Sequence, residues 1–276
     1  MNNIIGVDLG GTHIKGGRIF NSKIETKLQT NTMAHIGGQK SLEQLYGLID
    51  KLIKPETNAL GIGVPSVVDR HKGIIYNVQN IKNWDEVHLK SILEEKYSIP
   101  VYVDNDANCF AMGEKIFGKG RNFQNFVGIT IGTGLGGGII QNNHLLNDAN
   151  CGSGEFGELP YLDSIIEAYC SSGFFTKHGT TGYDCYVQAQ QGDLRAIELF
   201  SEFGRHMATL IKMIVLTIDP EAIIMGGSIA KAYPHFEPSL KLELTNFVYP
   251  KSIKRLSLLT SDLSDSGIKG AAALCM

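Results

Sequence analysis

One strand–glycine–strand unit occurs twice in this chain, and that doubling limits the possible fold more than any other feature. In Ile4-Ile5-Gly6-Val7-Asp8-Leu9-Gly10-Gly11-Thr12 an apolar run leads into a glycine turn, and Ile14 to Phe20 returns as a second strand. The stretch from Phe126 to Ile140 follows the same plan, with Gly6 falling on Gly128 and Gly10 on Gly132. Short apolar runs bounded by glycine read as strands. An echo at such a distance predicts a duplicated lobe rather than a short-period solenoid. The 276 residues, 43% of them hydrophobic, suffice for two α/β lobes with a cleft between them.

The intervening sequence fits that plan. Ser41 to Ile53 reads as an amphipathic helix with Leu42, Leu45, Leu48, Ile49 and Leu52 on one face. Ser41 with Gln44 three residues on has the form of a capping box. Ala59 to Val64 reads as a strand ended by Pro65. Val101 to Val103 is a short strand running into Asp104-Asn105-Asp106, with a helix following through Glu114. Leu199 to Ile218 is a long helix, and Ala222 to Met225 a strand entering a third glycine turn, Gly226-Gly227-Ser228. Gly267 to Leu274, rich in small residues, closes the chain as a helix.

Composition removes several classes of function. No stretch reaches the ~20 apolar residues of a membrane span. The N-terminus has no basic segment and meets Asp8 early, so no ordinary secretory signal is expected. Five scattered cysteines read as reduced thiols, which predicts a cytoplasmic protein. A formal charge of -3 gives no electrostatic reason to expect nucleic acid as a partner. An anionic substrate must then be held by local donors.

The glycine turns supply such donors. Glycine lets backbone amides approach an anion closely, and consecutive N–H groups form a concave nest. Thr12 and Thr133 add hydroxyls, and Lys15 is within reach of a phosphate held at the first turn. Any one of these turns alone would read equally well as a tight hairpin. Two matched turns about 120 residues apart favour phosphate binding, in neither the Walker A nor the dinucleotide pattern. Asp8, at the end of its strand, needs a partner because burying a lone carboxylate is costly. Hydrated Mg²⁺, which keeps several waters and uses few protein carboxylates, is the favoured one, a backbone N–H the alternative. Asp106 reads either as a general base or as a plain helix cap.

Taken in order, Asp8-Leu9-Gly10-Gly11-Thr12, Asn105-Asp106-Ala107-Asn108, Gly132-Thr133-Gly134-Leu135-Gly136-Gly137-Gly138, Gly154-Glu155-Phe156-Gly157 and Asp219-Pro220 with Gly226-Gly227-Ser228 resemble the ROK family (repressors, open reading frames and sugar kinases). The resemblance runs from Ile4 to Gly270-Ala271-Ala272-Ala273. It implies an actin/hexokinase-like (ribonuclease H-like) α/β fold, with residues 1–106 plus 262–276 as the smaller N-terminal lobe and 107–261 as the larger C-terminal lobe. It implies an ATP-dependent kinase acting on a hydroxyl, that at C6, of a hexose or hexose derivative of the glucose, allose, N-acetylmannosamine or β-glucoside class. ATP and Mg²⁺ are then the expected ligands, and a homodimer is an option the resemblance leaves open. By position, Asp106 matches the catalytic base and Asn105 a sugar ligand. Gly10, Gly11, Thr12, Lys15, Gly132, Thr133, Gly134, Gly226 and Gly227 fall on the nucleotide side, with Asp8 holding Mg²⁺ through water. Glu155 and Glu167 match sugar-binding glutamates, and Asn80, four residues before Trp84, resembles another sugar contact.

Two departures stand out. The family's Gly-Glu-x-Gly-His motif here ends in Glu158, which either takes over the missing histidine's hydroxyl contact or lies exposed. The Cys-x-Cys-Gly-x-x-Gly-Cys stretch is missing, Pro160 to Ile166 standing in its place without cysteine. A structural zinc needs about four close ligands, so no zinc site is expected. Ser66 stands where relatives often carry glycine, which narrows the expected pocket. A sugar-sensing repressor is the second reading the family offers. It is not expected here, because the first strand begins by Ile4 and leaves no room for a DNA-reading helix ahead of it. A catalytically inactive sugar-binding module is the third.

Overall fold

A computed structural model describes residues 3–78 and 81–276. The chain divides into two compact units, Met1–Arg121 with Leu145–Ser153 and Leu263–Met276, and Asn122–His144 with Gly154–Asp262. Residues 107–121 and 145–153, assigned from the sequence to the second lobe, thus fall in the first unit.

The first unit opens with the antiparallel strands β1 (Asn3–Leu9), β2 (His13–Phe20) and β3 (Lys23–Asn31), then α1 (Gly38–Leu52) and β4 (Ala59–Val64). Three short strands, β5 (Val67–Asp69), β6 (Ile74–Tyr76) and β7 (Glu86–Val87), form a separate small sheet. They are followed by α2 (Leu89–Tyr97), β8 (Val101–Asn105) and α3 (Asp106–Phe117). The main sheet runs β3–β2–β1–β4–β8, with β1, β4 and β8 parallel. Every residue of β4 is buried, as expected of a parallel strand covered on both faces. The edge strand β3 instead alternates exposed and half-buried positions.

Leu45, Leu48, Ile49 and Leu52 of α1 and Leu89 and Leu93 of α2 pack with the sheet in one core cluster. Ile4, Ile19, Ile268 and Ala272 form another, where the C-terminal helix Ser266–Ala273 docks. That helix lies so close that a Cβ at Gly61 would fall 1.9 Å from the Ala271 carbonyl oxygen.

The start of α1 differs from the capping box expected at Ser41. The N-cap is Gly37, at φ 137°, and the Gly38 N–H donates to the Lys82 carbonyl at 2.8 Å. A backbone conformation open to glycine and a distant carbonyl start the helix a turn early. Ser41 lies inside, its hydroxyl donating to the Gly37 carbonyl.

The second unit holds β9 (Phe126–Ile131), β10 (Leu135–Gln141) and the short strand β11 (His144–Leu145) at its boundary. The β12 (Pro160–Tyr161) and β13 (Ser164–Ile165) hairpin leads into α4 (Ile166–Cys170), α5 (Ser172–Lys177), α6 (Gly182–Gln190) and α7 (Leu194–Ile218). β14 (Ala222–Gly226), α8 (Tyr233–Leu244), α9 (Pro250–Arg255) and β15 (Ser257–Thr260) complete it. The sheet order is β11–β10–β9–β14–β15, with β9, β14 and β15 parallel.

α7 starts five residues before the expected Leu199, because Asp193 caps it by accepting from the Ala196 N–H at 2.8 Å. Its buried face carries Leu199, Phe203, Met207, Leu210 and Ile214 at helical spacing. No helix of the described residues is long and apolar enough to cross a membrane.

Candidate active site

In the first unit, the strand register sets Asp8, Gly63 and Asp104 side by side at the C-terminal ends of β1, β4 and β8. Ligands of open α/β sheets gather at such ends. The Gly10-Gly11-Thr12 turn follows directly from β1, and Asp106 opens α3 from β8 in an exposed position. Of the two readings of Asn105-Asp106, the cap belongs to Asn105. Its side-chain oxygen accepts from the Ala107 N–H at 2.8 Å, and its amide nitrogen donates to the Ser66 carbonyl at 3.1 Å. Each end of that amide keeps one further hydrogen-bonding position. Ser66 is itself tied down, its hydroxyl donating to the Tyr76 carbonyl.

Burial raises the Asp8 carboxyl above its usual range, against the pull of Lys15, its partner across β2. Gly267 backs onto it so tightly that a Cβ there would fall 2.5 Å from Asp8 Oδ2. Among the described residues no hydrogen bond reaches that carboxylate. Nor does any group of three or more His, Cys, Asp or Glu stand close enough to hold a metal ion. One desolvated carboxylate without a hydrogen bond suits a magnesium ion that keeps most of its waters. Burial first, then the charges of Asp104, Asp106 and Asp8, push the Cys109 thiol well up.

In the second unit, the Gly132-Thr133-Gly134 turn joins β9 to β10. Gly226-Gly227 leaves the neighbouring β14 beside it, Gly226 pairing with Thr130. A Cβ at Gly132 would meet Ser228 Oγ at 3.8 Å, so the second and third glycine turns adjoin. Neither Thr133 nor Gly134 uses its N–H in a hydrogen bond among the described residues, and the same holds for Gly11 and Thr12 in the first unit.

The glutamates Glu155, Glu158 and Glu167 share the second unit. Desolvation first, then the charges of Glu158 and Glu167, raise the Glu155 carboxyl. Both Glu155 and Glu158 are exposed. Glu167 does something the sequence did not signal: its Oε2 accepts from the Leu135 N–H at 2.8 Å and lies against Gly134. Of the Pro160 to Ile166 stretch, Pro160 to Ile165 forms the β12–β13 hairpin and Ile166 opens α4, with an aromatic cluster packed around it. There Tyr161 bonds His206 Nδ1 at 3.0 Å, and Tyr169 packs edge-on against Tyr161 and donates to Asp163. Asn80 lies outside the described residues.

Sequence reasoning also missed a polar network around the buried Asp104, at the start of the Asp106 helix. Asp104 Oδ1 accepts from the Asn105 N–H at 2.7 Å and from Asn108 Nδ2 at 2.8 Å. Arg70 stands 4.0 Å from Asp104 and 3.5 Å from Asp148, and donates to the Leu146 carbonyl. Burial outweighs these contacts and leaves the Asp104 carboxyl raised. Only the acidic run Asp104-Asn105-Asp106 hinted at it; Arg70 carried no signal.

Comparison with known proteins places this geometry. Over 98% of the chain and 96% of its own length, the glucokinase of Thermotoga maritima is 27% identical. A xylose repressor of Bacillus spizizenii is 29% identical over 99% of the chain and 75% of its own length. The crystal structure of a ROK family glucokinase from Streptomyces griseus in complex with glucose and AMPPNP superposes with a TM-score of 0.83, covering 99% of each chain at 25% identity. With two sheets of matching plan, a glycine turn leaving the first strand pair of each, and a family model that matches residues 4–276, the chain belongs to the ROK family, on the actin/hexokinase-like fold.

Proposed function

We propose that the protein is an ATP-dependent sugar kinase, transferring the γ-phosphoryl group to a hydroxyl, that at C6, of a hexose or hexose derivative of the glucose, allose, N-acetylmannosamine or β-glucoside class. One observation carries this reading: Asp106 stands exposed at the end of the parallel strands that also present Asp8 and the first glycine turn. Phosphoryl transfer asks little covalent chemistry of a protein and gains mostly from positioning and charge stabilisation. The unbonded N–H groups of Gly11, Thr12, Thr133 and Gly134 are the donors for phosphate oxygens, with Lys15 as a mobile cation and Gly226-Gly227 beside the second turn.

Asp106 accepts the proton of the attacking hydroxyl, while Asn105 holds a neighbouring one with its spare donor and acceptor. Glu155, Glu158 and Glu167 are the acceptors for the remaining sugar hydroxyls. A magnesium ion held by Asp8 through water would neutralise the charge of the phosphates.

ADP release measured across glucose, mannose, allose, fructose, N-acetylmannosamine and cellobiose tests the assignment. At least one sugar is expected to raise ADP release far above ATP hydrolysis alone; flat rates across the panel sink the kinase. A sugar-sensing regulator without turnover is the second reading, favoured by the match to a xylose repressor over 99% of this chain and 75% of the repressor. It predicts sugar binding by calorimetry with no ADP formed.

The glutamate cluster gives a pH prediction. Because its carboxyl is raised, Glu155 takes up a proton at higher pH than an ordinary glutamate as the solution is acidified, and then stops accepting from a sugar hydroxyl. Replacing Glu158 by Gln removes one of the charges that raise it. The acid limb of kcat/KM for the sugar is therefore expected to move to lower pH in Glu158→Gln. A pH–rate profile with an unmoved limb, or one moved upward, contradicts it.

A further inference from the structure

We propose that Thr32 and Ser172 are a matched pair of positioning residues that aim the N–H groups of the two glycine turns at the nucleotide. The inference rests on the nucleotide role given above to those turns. In the first, Thr32 Oγ1 donates to the Gly10 carbonyl at 2.6 Å and the Thr32 N–H donates to the Thr12 carbonyl at 2.9 Å. In the second, the Ser172 N–H donates to the Gly132 carbonyl at 2.9 Å and Ser172 Oγ to the Thr133 carbonyl at 3.1 Å. Both turns are also closed by a bond from their leading glycine: Gly10 N–H to the His13 carbonyl and Gly132 N–H to the Gly134 carbonyl, each at 3.0 Å.

A trans peptide is planar, with C=O and N–H pointing in opposite directions. Pinning the Gly10 carbonyl therefore fixes the direction of the Gly11 N–H. Pinning those of Gly132 and Thr133 fixes the N–H groups of Thr133 and Gly134. These are the very donors that no hydrogen bond among the described residues uses. Were the peptides to rotate, a carbonyl dipole would face the phosphate in place of a donor and repel it.

The device is not a by-product of the duplicated strand pair. Thr32 follows the third strand of its sheet, whereas Ser172 begins a helix. Thr32 is fully buried, a costly place for a hydroxyl that does not bond. In the second turn the Glu167 carboxylate adds a further tie through the Leu135 N–H.

Thr32→Val and Ser172→Ala each delete one hydroxyl with little change of shape, and Thr32→Ser and Ser172→Thr restore it. The readout is the dissociation constant of AMPPNP by calorimetry, beside that of the best sugar, so it does not depend on turnover. One neutral hydrogen bond is worth enough to predict AMPPNP affinity about five- to tenfold weaker in Thr32→Val and Ser172→Ala. Sugar affinity should stay within about twofold, and both hydroxyl-bearing variants should bind nucleotide like the wild type.

AMPPNP affinity unchanged in the deletion variants, or sugar and nucleotide affinity falling together, overturns the inference. So does an equal loss in the hydroxyl-bearing variants. If Thr32→Val fails to fold, the half-exposed Ser172 decides alone. A wild type that binds AMPPNP but forms no ADP removes the kinase reading while leaving this test intact; one that binds no AMPPNP removes both.

Discussion

Asp106→Asn is expected to leave a folded protein that binds nucleotide and turns over about 10²–10⁴ times more slowly, the range a positioned general base contributes. The substitution keeps the size and shape of the side chain and removes its negative charge and its ability to take a proton. The start of α3 should survive it, because the cap bond to the Ala107 N–H comes from Asn105. The buried supports beneath, from Asp104 to the Asn105 N–H and to Asn108, do not involve the substituted carboxylate. A loss of activity with an unchanged melting temperature and unchanged AMPPNP affinity would therefore be a loss of chemistry. Coupled ADP release gives kcat, and titration gives nucleotide affinity. A variant retaining kcat within about tenfold of the wild type would remove Asp106 from the reaction.

The parts of this protein that could be read from its sequence are those written locally. Strands β1, β9 and β14 announce themselves as apolar runs leading into a glycine turn, with β2 and β10 returning from the first two, and these matched turns gave the family and the fold. Asp8 and Asp106 were singled out for the same reason, each sitting where a strand meets a turn or helix. The structure then assembled what no local pattern encodes. Thr32 and Ser172 reach their turns across 22 and 39 residues, and Arg70 reaches Asp148 across 78. A lone threonine, serine or arginine at such distances leaves no periodicity to detect.

The edge strand β3 was missed because polar residues dominate its half-buried run, and the small β5–β6–β7 sheet because its strands are only two or three residues long. Ser41 shows the opposite failure. Its spacing to Gln44 is correct for a cap, but Gly37 and the Lys82 carbonyl had already started the helix. Glu167 was singled out as a sugar ligand, yet its bond to the Leu135 N–H spans 32 residues of sequence and leaves no local pattern.

Gly227→Ala should be the most damaging glycine substitution at the candidate site, and the reason separates backbone geometry from anion binding. Gly227 sits at φ 89°, where a side chain is strained, and an added Cβ would fall 2.3 Å from the Ile131 carbonyl oxygen and 2.7 Å from its nitrogen. Ile131 is fully buried at the end of β9, so its backbone cannot retreat. Strain of this kind costs about 1–3 kcal/mol before the clash is counted. At 2–4 °C per kcal/mol, the melting temperature is expected to fall by about 5 °C or more.

The turn can escape the clash only by moving away from Ile131, and so away from Gly132. AMPPNP affinity is then expected to drop by at least about tenfold, since one displaced donor turn costs a bond or more. Gly132→Ala is the matched control. There the nearest atom to an added Cβ is Ser228 Oγ at 3.8 Å, an ordinary contact, so the protein should melt like the wild type. If Gly227→Ala matches the wild type in both melting temperature and nucleotide affinity, the third turn is neither braced on β9 nor part of the nucleotide site.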